Sequence, residues 1–379
     1  LSGLLCACQF DSILNQVSEH TKSAKNPKMK KDQSKISIKD VARELGLSIT
    51  TISFIINNKA KNRISDEVIK KVEDYIEKVG YKPNASAQSL RTGKSNTIVF
   101  MAEDISDPFF STIAKEMEDL AFNNGYKIIY CSTENKKERA LELLSTFKDR
   151  QIDAFIITPP EDFEDEINAL IAENRKIVLF DRHYNDPNHN YVVLDNYNSC
   201  GKAVKSLLEE GFENIAFVGL ESNLSPMKER LEGYMDAVKN NQKHPISLLI
   251  KFDEVKSAKG KQVFENLLKE HPNIDAILFS TNSLAITGLR VLREVGKRLP
   301  EDIGVITFDD RELFELHSPP ISVVSQPVSE LAEELIKGTL NLLKSRSKSP
   351  KLFQVSLPGK LILRKSSMLE SGAASGKTK

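Results

Sequence analysis

Residues 36–58 read ISIKDVARELGLSITTISFIINN, and the amino-terminal fold follows from them. Ser37 and Asp40 are spaced as a capping box, and Ile38, Val41, Ala42 and Leu45 fall on one face of the helix it opens. Gly46 stands where that helix must stop and the chain turn sharply, which requires tolerance of positive φ. Ser48 caps a second helix bearing Thr51, Ile52, Ile55 and Ile56, and Ser65-Asp66-Glu67 opens a third through Tyr75. Small Ala42 lets the first two helices cross closely, as a helix-turn-helix requires. The spacing points to a DNA-reading unit, with the remaining chain controlling when it reads.

The 379 residues leave room for two or three domains and a substantial core. No apolar run approaches the ~20 residues of a membrane span. The formal net charge of +0 hides a division. From Lys28 to Lys94 there are 15 Lys and Arg against 8 Asp and Glu, a surplus of +7 that the rest of the chain balances with −7. A small basic domain joined to a larger acidic one implies that the former meets phosphates. Cys6, Cys8, Cys131 and Cys200 form neither a CxxC pair nor zinc-finger spacing, which favours a reducing compartment. The histidines, including His183, His189 and His317, show no metal-ligand spacing and read as polar loop residues. Cofactors and metals are therefore not expected.

Residues 1–34 lack periodicity and are expected to be a disordered extension, with Met29 a natural start before the first helix. Residues 35–80 form the DNA-binding domain and residues 81–95, YKPNASAQSLRTGKS, a hinge. Asn84 to Leu90 can form two helical turns, too short to stand alone in water. Gly93-Lys94-Ser95 resembles the end of a P-loop, but Gln88 occupies the place of its first glycine. Beyond residue 96, continuous apolar strands alternate with amphipathic helices, the pattern of parallel sheets covered on both faces. After the polar link DRHYNDPNHN (181–190) the rhythm restarts, predicting two doubly wound lobes. Their expected extents are 96–190 with 326–345 for the N-lobe and 191–325 with 346–367 for the C-lobe, before a flexible tail at 368–379.

IKDVARELGLSITTISFIINN, GYKPNASAQSLRTGKSNTI, DISDPFF, FDR, RLEGY, ITFDD and ISVVSQP occur in that order over about 36–367. In this the chain resembles the lactose-repressor/galactose-repressor (LacI/GalR) family of bacterial transcription regulators. The resemblance implies an all-α helix-turn-helix headpiece, a hinge helix, and an α/β effector domain like periplasmic sugar-binding proteins. It also implies homodimers or tetramers, a pseudo-palindromic operator DNA, a cytoplasmic location and no membrane partner. By position in the motif, Ile49, Thr50 and Phe54 read bases. Apolar Ile49 and Phe54 suit thymine methyls, and Thr50 supplies a hydroxyl. Ser48, Thr51, Ser53, Asn57 and Arg63 are placed for phosphates, with Lys59 and Lys61 beside them. Leu90 matches the hinge leucine that wedges into the minor groove at the operator centre.

The same resemblance implies an effector cleft lined by Asp107, Phe109, Phe110, Asp181, Arg182, Arg230, Thr281, Asp309 and Gln326. Thr281 stands where many relatives place an asparagine, and Asn282 where the usual residue is aspartate. A neutral sugar is the first expectation for the small-molecule effector, although Arg182 and Arg230 together would also suit a sugar acid or phosphosugar. Repression of transcription is thus the expected function, and a periplasmic-type sugar-binding protein the alternative. The basic headpiece and missing export signal weigh against the latter. The chain carries no G-x-G-x-x-G after a strand, G-x-S-x-G elbow or H-E-x-x-H, so an enzyme is not expected.

Overall fold

A computed structural model describes residues 36–57, 59–61, 63–81, 94–148, 150–345, 347 and 351–369. The chain divides into two compact units, Leu1–Gln88 and Ser89–Lys379. In the first, α1 (Ile38–Leu45) starts at a complete capping box. Ser37 Oγ accepts from the Asp40 amide at 3.3 Å, and the Asp40 carboxylate accepts from the Ser37 amide at 3.0 Å. Gly46 ends the helix at φ 67°, left-handed as the turn demands. Ser48 caps α2 (Ile49–Ile56), and α3 (Asp66–Val79) stops at Gly80. Val41, Ala42, Ile52, Ile55, Ala60 and Val72 form the core of this unit. Burying a side chain such as Ile52 contributes about 1.5–3 kcal/mol, so these few residues hold the three helices together.

The second unit holds two sheets. The first contains β1 (Thr97–Ala102), β2 (Lys127–Ser132), β3 (Ala154–Ile157), β4 (Ile177–Phe180), β5 (Tyr191–Asp195) and β11 (Gln354–Pro358). Helices α4 (Pro108–Asn123), α5 (Lys137–Lys148), α6 (Glu164–Ala172) and α12 (Val328–Lys344) accompany it. The second contains β6 (Ile215–Leu220), β7 (Ile246–Ile250), β8 (Ala276–Phe279), β9 (Gly304–Phe308), β10 (Ser322–Ser325) and β12 (Lys360–Ile362). Its helices are α7 (Asn196–Glu209), α8 (Ser225–Asn240), α9 (Ala258–Glu270), α10 (Asn282–Glu294) and the short α11 (Glu312–Leu316).

The sheet orders β11-β5-β4-β3-β1-β2 and β12-β10-β9-β8-β6-β7 are the same permutation, and among the described residues every pairing is parallel except β10 with β12. Continuous burial of β1, β3, β4, β8 and β9 matches their unbroken apolar runs. The repeat extends to detail. Asp153, just before β3, accepts from the Ser95 amide and hydroxyl and the Asn96 amide at 2.9–3.1 Å. Asp275, just before β8, accepts from the Glu213 and Asn214 amides at 2.8–3.1 Å. Each aspartate fastens the chain as it enters the first strand of its lobe.

Two expected boundaries need correction. The strand at 191–195 belongs to the first sheet, because Leu179 and Phe180 pair with Tyr191 and Val192. The polar link 181–190 is thus a loop within the N-lobe, and the chain crosses at Asp195–Asn196. The segment 354–358 also joins the first sheet, through β5, before β12 returns to the second. Among the described residues three crossings therefore connect the lobes, and they meet at Gly359. Its amide donates to Ser199 Oγ at 2.9 Å, and a Cβ there would lie 2.8 Å from that oxygen and 2.9 Å from Val324 Cγ1. Only glycine permits so close an approach.

Candidate functional site

In the helix-turn-helix, α2 divides by exposure. Ile52 and Ile55 enter the core, whereas Ile49 and Thr50 are exposed. Phe54 is half-buried, outside the apolar core, and the Arg63 guanidinium lies over its ring at 5.7 Å. The face thus presents an apolar pair and one hydroxyl, flanked by a cation. Ser48 Oγ accepts from the Thr51 amide at 3.0 Å and lies 2.8 Å from Thr51 Oγ1, while Asn57 Nδ2 donates to the Ser53 carbonyl at 2.6 Å. These expected phosphate-contacting residues therefore also shape the helix ends. Leu90 and the hinge at 82–93 lie outside the described residues.

Across the lobes, strand polarity builds a second site. Asp181 follows β4 and Asp309 follows β9, the same place in each sheet, at φ 65° and 67°. Each therefore leaves its strand in the left-handed region, a strain that non-glycine residues rarely carry. From the second lobe comes Arg230 of α8, only 3% exposed, with its Nε donating to Asn196 Oδ1 at 2.8 Å and Nη1 to the Ser280 carbonyl at 2.6 Å. Its guanidinium lies 4.0 Å from the centre of the Phe308 ring. Burial pushes the Asp181 carboxyl up to about 7; Arg230 opposes that shift, and Asp309, Asp107 and Glu229 add to it. Asp309 accepts from Gln326 Nε2 at 2.8 Å and Asn282 Nδ2 at 3.3 Å, which ties three loops of the second lobe to one carboxylate.

Contacts also cross the cleft. The Asp107 carboxylate lies 3.8 Å from Arg311, and His183 Nε2 lies 2.9 Å from Glu229 Oε1. The His183 amide donates to Ser225 Oγ, and Glu161 accepts from the Ser222 hydroxyl and Asn223 amide at 2.6 and 2.9 Å. Glu229 holds His183 above the usual histidine range.

Of the nine expected cleft residues, Asp107, Asp181, Arg230, Asp309 and Gln326 converge through these contacts. Phe109 stacks on Phe180 with ring centres 5.8 Å apart and is partly buried. Three expectations change. Phe110 packs into the N-lobe core against Phe180 rather than lining the cleft. Arg182 is consumed inside its own lobe by Glu103, Asp181, Asn135 Oδ1 and the Pro159 carbonyl, and burial lowers its pKa to about 9. The Thr281 hydroxyl caps α10, accepting from the Leu284 amide, while the buried Asn282 amide meets Asp309 and Arg311. Asn282 thus occupies the place expected of Thr281. The sequence reading also missed Arg311, Glu229, Asn196 and His183, although two of these adjoin residues it named. His189, expected as a polar loop residue, is fully buried with Nε2 2.7 Å from Asn168 Oδ1.

Both parts of the chain match known families. Residues 37–84 match the model of bacterial regulatory proteins of the lacI family, and residues 204–367 match a periplasmic binding protein-like domain. The transcriptional regulator DegA of Bacillus subtilis is 30% identical over 338 residues, covering 88% of this chain and 98% of its own. A ribose operon repressor of Halalkalibacterium halodurans is 28% identical over 335 residues. Among solved structures, a lac repressor dimer bound to operator and an anti-inducer superposes with a TM-score of 0.77 over 88% of this chain and 99% of that one, at 22% identity. A LacI-family regulator from Enterococcus faecium with bound ribose gives 0.63 over 72% of this chain and 98% of that one, at 27% identity. With its helix-turn-helix, its two parallel-sheet lobes and a relative this similar along nearly its whole length, the chain belongs to the lacI family of bacterial DNA-binding transcription regulators.

Proposed function

We propose that the protein is a cytoplasmic repressor that binds a pseudo-palindromic operator as a dimer and is switched by a neutral sugar held between its lobes. It binds its effector without turning it over. The observation that carries this reading is the pair Asp181 and Asp309, one from each lobe at the same place in its sheet, with Arg230 close enough to act on Asp181. Carboxylates that face each other across a cleft chelate pairs of hydroxyls, and an adjacent arginine adds donors. Charge argues against an anionic effector. Asp107, Asp181, Asp309 and Glu229 all act on this space, whereas Arg182 is spent within its lobe and Arg230 and Arg311 already donate to protein acceptors. The ribose seen in the Enterococcus faecium regulator fits the same chemistry. Leu90 remains the proposed wedge at the operator centre.

Calorimetric titration of the native protein with ribose, xylulose, cellobiose, gluconate and ribose 5-phosphate tests the reading. A neutral sugar should bind. Asp181→Asn should weaken it about 10- to 150-fold, the value of one hydrogen bond to a charged group. Tighter binding by gluconate or the phosphosugar would overturn it.

A further inference from the structure

The two lobes share one topology but not one charge distribution. In the N-lobe, the segments that enter β1 to β4 (94–96, 124–127, 148–153 and 173–176) carry six Lys and Arg against three Asp and Glu. Exposed Lys344 at the end of α12 adds a further cation. Two of the three acids are engaged locally, one of them by a base of the same set. Asp153 accepts the backbone amides of Ser95 and Asn96, and Glu173 pairs with Lys148 at 2.8 Å. At the opposite, carboxyl edge, segments 103–107, 133–136, 158–163 and 181–190 carry eight acids against two bases. The corresponding amino edge of the C-lobe (210–214, 241–245, 271–275 and 295–303) carries three bases against five acids. The repeat thus serves as an internal control: strand topology alone does not make this edge basic.

These cations share a surface. Lys94, Arg175 and Lys176 line one cavity of about 300 Å³, together with Tyr126, Gln151 and Leu343. The Arg175 guanidinium donates to the Lys148 carbonyl, and exposed Lys127, Arg150 and Lys344 each adjoin a lining residue. This edge is also where the chain arrives from the helix-turn-helix unit, through the linker that ends at Lys94. In sequence the linker is only residues 81–95, so any duplex held by that unit is tethered to the chain that bears this edge.

We propose that the amino edge of the N-lobe is a second, sequence-independent DNA surface that contacts backbone phosphates beyond those met by the helix-turn-helix. The proposal rests on the DNA-binding reading. Its chemistry is counterion release: each neutralised phosphate steepens the salt dependence of binding by about 0.9 in log–log slope. Such a contact adds affinity without reading bases.

The test compares the full chain with a K127Q/R150Q/K344Q variant, whose three positions are exposed and outside both sites described above. A second variant, K205Q/K239Q/K269Q, removes the same charge from the C-lobe. A duplex selected by the native protein from a random pool is used at 20 and 60 base pairs, titrated from 50 to 200 mM salt. On the longer duplex the rim variant should lose at least ~0.9 in slope, so its affinity falls about 3.5-fold less over that range per lost contact. The C-lobe variant should keep the native slope. A rim variant with native slope on both duplexes, or one matched by the C-lobe variant, overturns the proposal. Native protein that shows no salt-dependent binding would instead strike at the DNA-binding reading.

Discussion

The paired aspartates Asp153 and Asp275 allow a prediction in which each lobe is the control for the other. Asp153→Asn keeps the side-chain volume but turns one acceptor oxygen into a donor. The amide can still accept from Ser95, whose N–H and hydroxyl both bond Oδ1, yet its NH2 then faces the Asn96 amide that now meets Oδ2 at 3.0 Å. One charge-assisted bond is lost and two are weakened. At about 1.5–3 kcal/mol for a bond to a charged group, the expected cost is roughly 2–3 kcal/mol. For a body of this size that lowers the melting temperature by about 4–12 °C. At Asp275 the Glu213 amide is shared between both oxygens and the Asn214 amide meets Oδ1, so an asparagine keeps an acceptor for both and Asp275→Asn should cost less. The two must differ in DNA binding, because only Asp153 anchors the residues that follow the hinge. Urea denaturation should show a larger shift in midpoint for Asp153→Asn than for Asp275→Asn with unchanged m, and electrophoretic titration a loss of operator affinity for Asp153→Asn alone. A stability change below ~0.5 kcal/mol at Asp153, or equal DNA defects at the two positions, would refute the reasoning.

Three further outcomes are expected. The Asp181 carboxyl titrates at about 7 when folded against its ordinary 3.8, so the folded chain binds more protons in between. The associated stability is full below 3.8 and lost as pH rises through 7, and Asp181→Asn should therefore gain on the native protein as pH is raised from 4 to 8, less what it forfeits in the ion pair with Arg182. Denaturant midpoints at the two pH values check this. His183 is raised above 6.5 by Glu229 across the cleft. Its contribution to lobe closure is present below 6.5 and fades as pH rises through the elevated value. Small-angle scattering should show native protein expanding over that window and His183→Gln unchanged. Phe54→Ala should reduce affinity for a selected operator about tenfold and for scrambled DNA much less. Its stability should fall by under ~1 kcal/mol, because Phe54 lies outside the headpiece core; fluorescence anisotropy on both duplexes and a melting curve decide.

The headpiece was legible because its determinants are local: the Ser37 box, Gly46 and the Ser48 cap act within four residues of themselves. The strands were legible from continuous apolar runs. The lobe boundary was not, since only the pairing of Tyr191 with Leu179 reveals that the chain has yet to cross. Arg182 was misjudged for a similar reason. Its acceptors come from residues 103, 135 and 159, on loops that only the folded sheet assembles. The Thr281 error has a different origin. At a strand-to-helix turn the capping side chain is already engaged, so the next residue faces the cleft, and a one-residue choice decides the ligand. Arg311, which reaches Asp107 from the other lobe, belongs to an arrangement that no single segment encodes.

The meeting of three crossing strands at Gly359 has a mechanical consequence. Two bodies joined by one strap can swivel, slide and tilt; joined by three that touch at one place, they keep chiefly a rotation about the line through the straps. Whatever enters the cleft then writes its message as a single angle. On this mechanics, ligands of different shape would be ranked along that one coordinate. Gly359→Ala, by forcing Ser199 and Val324 apart, would reset the resting value from outside the cleft.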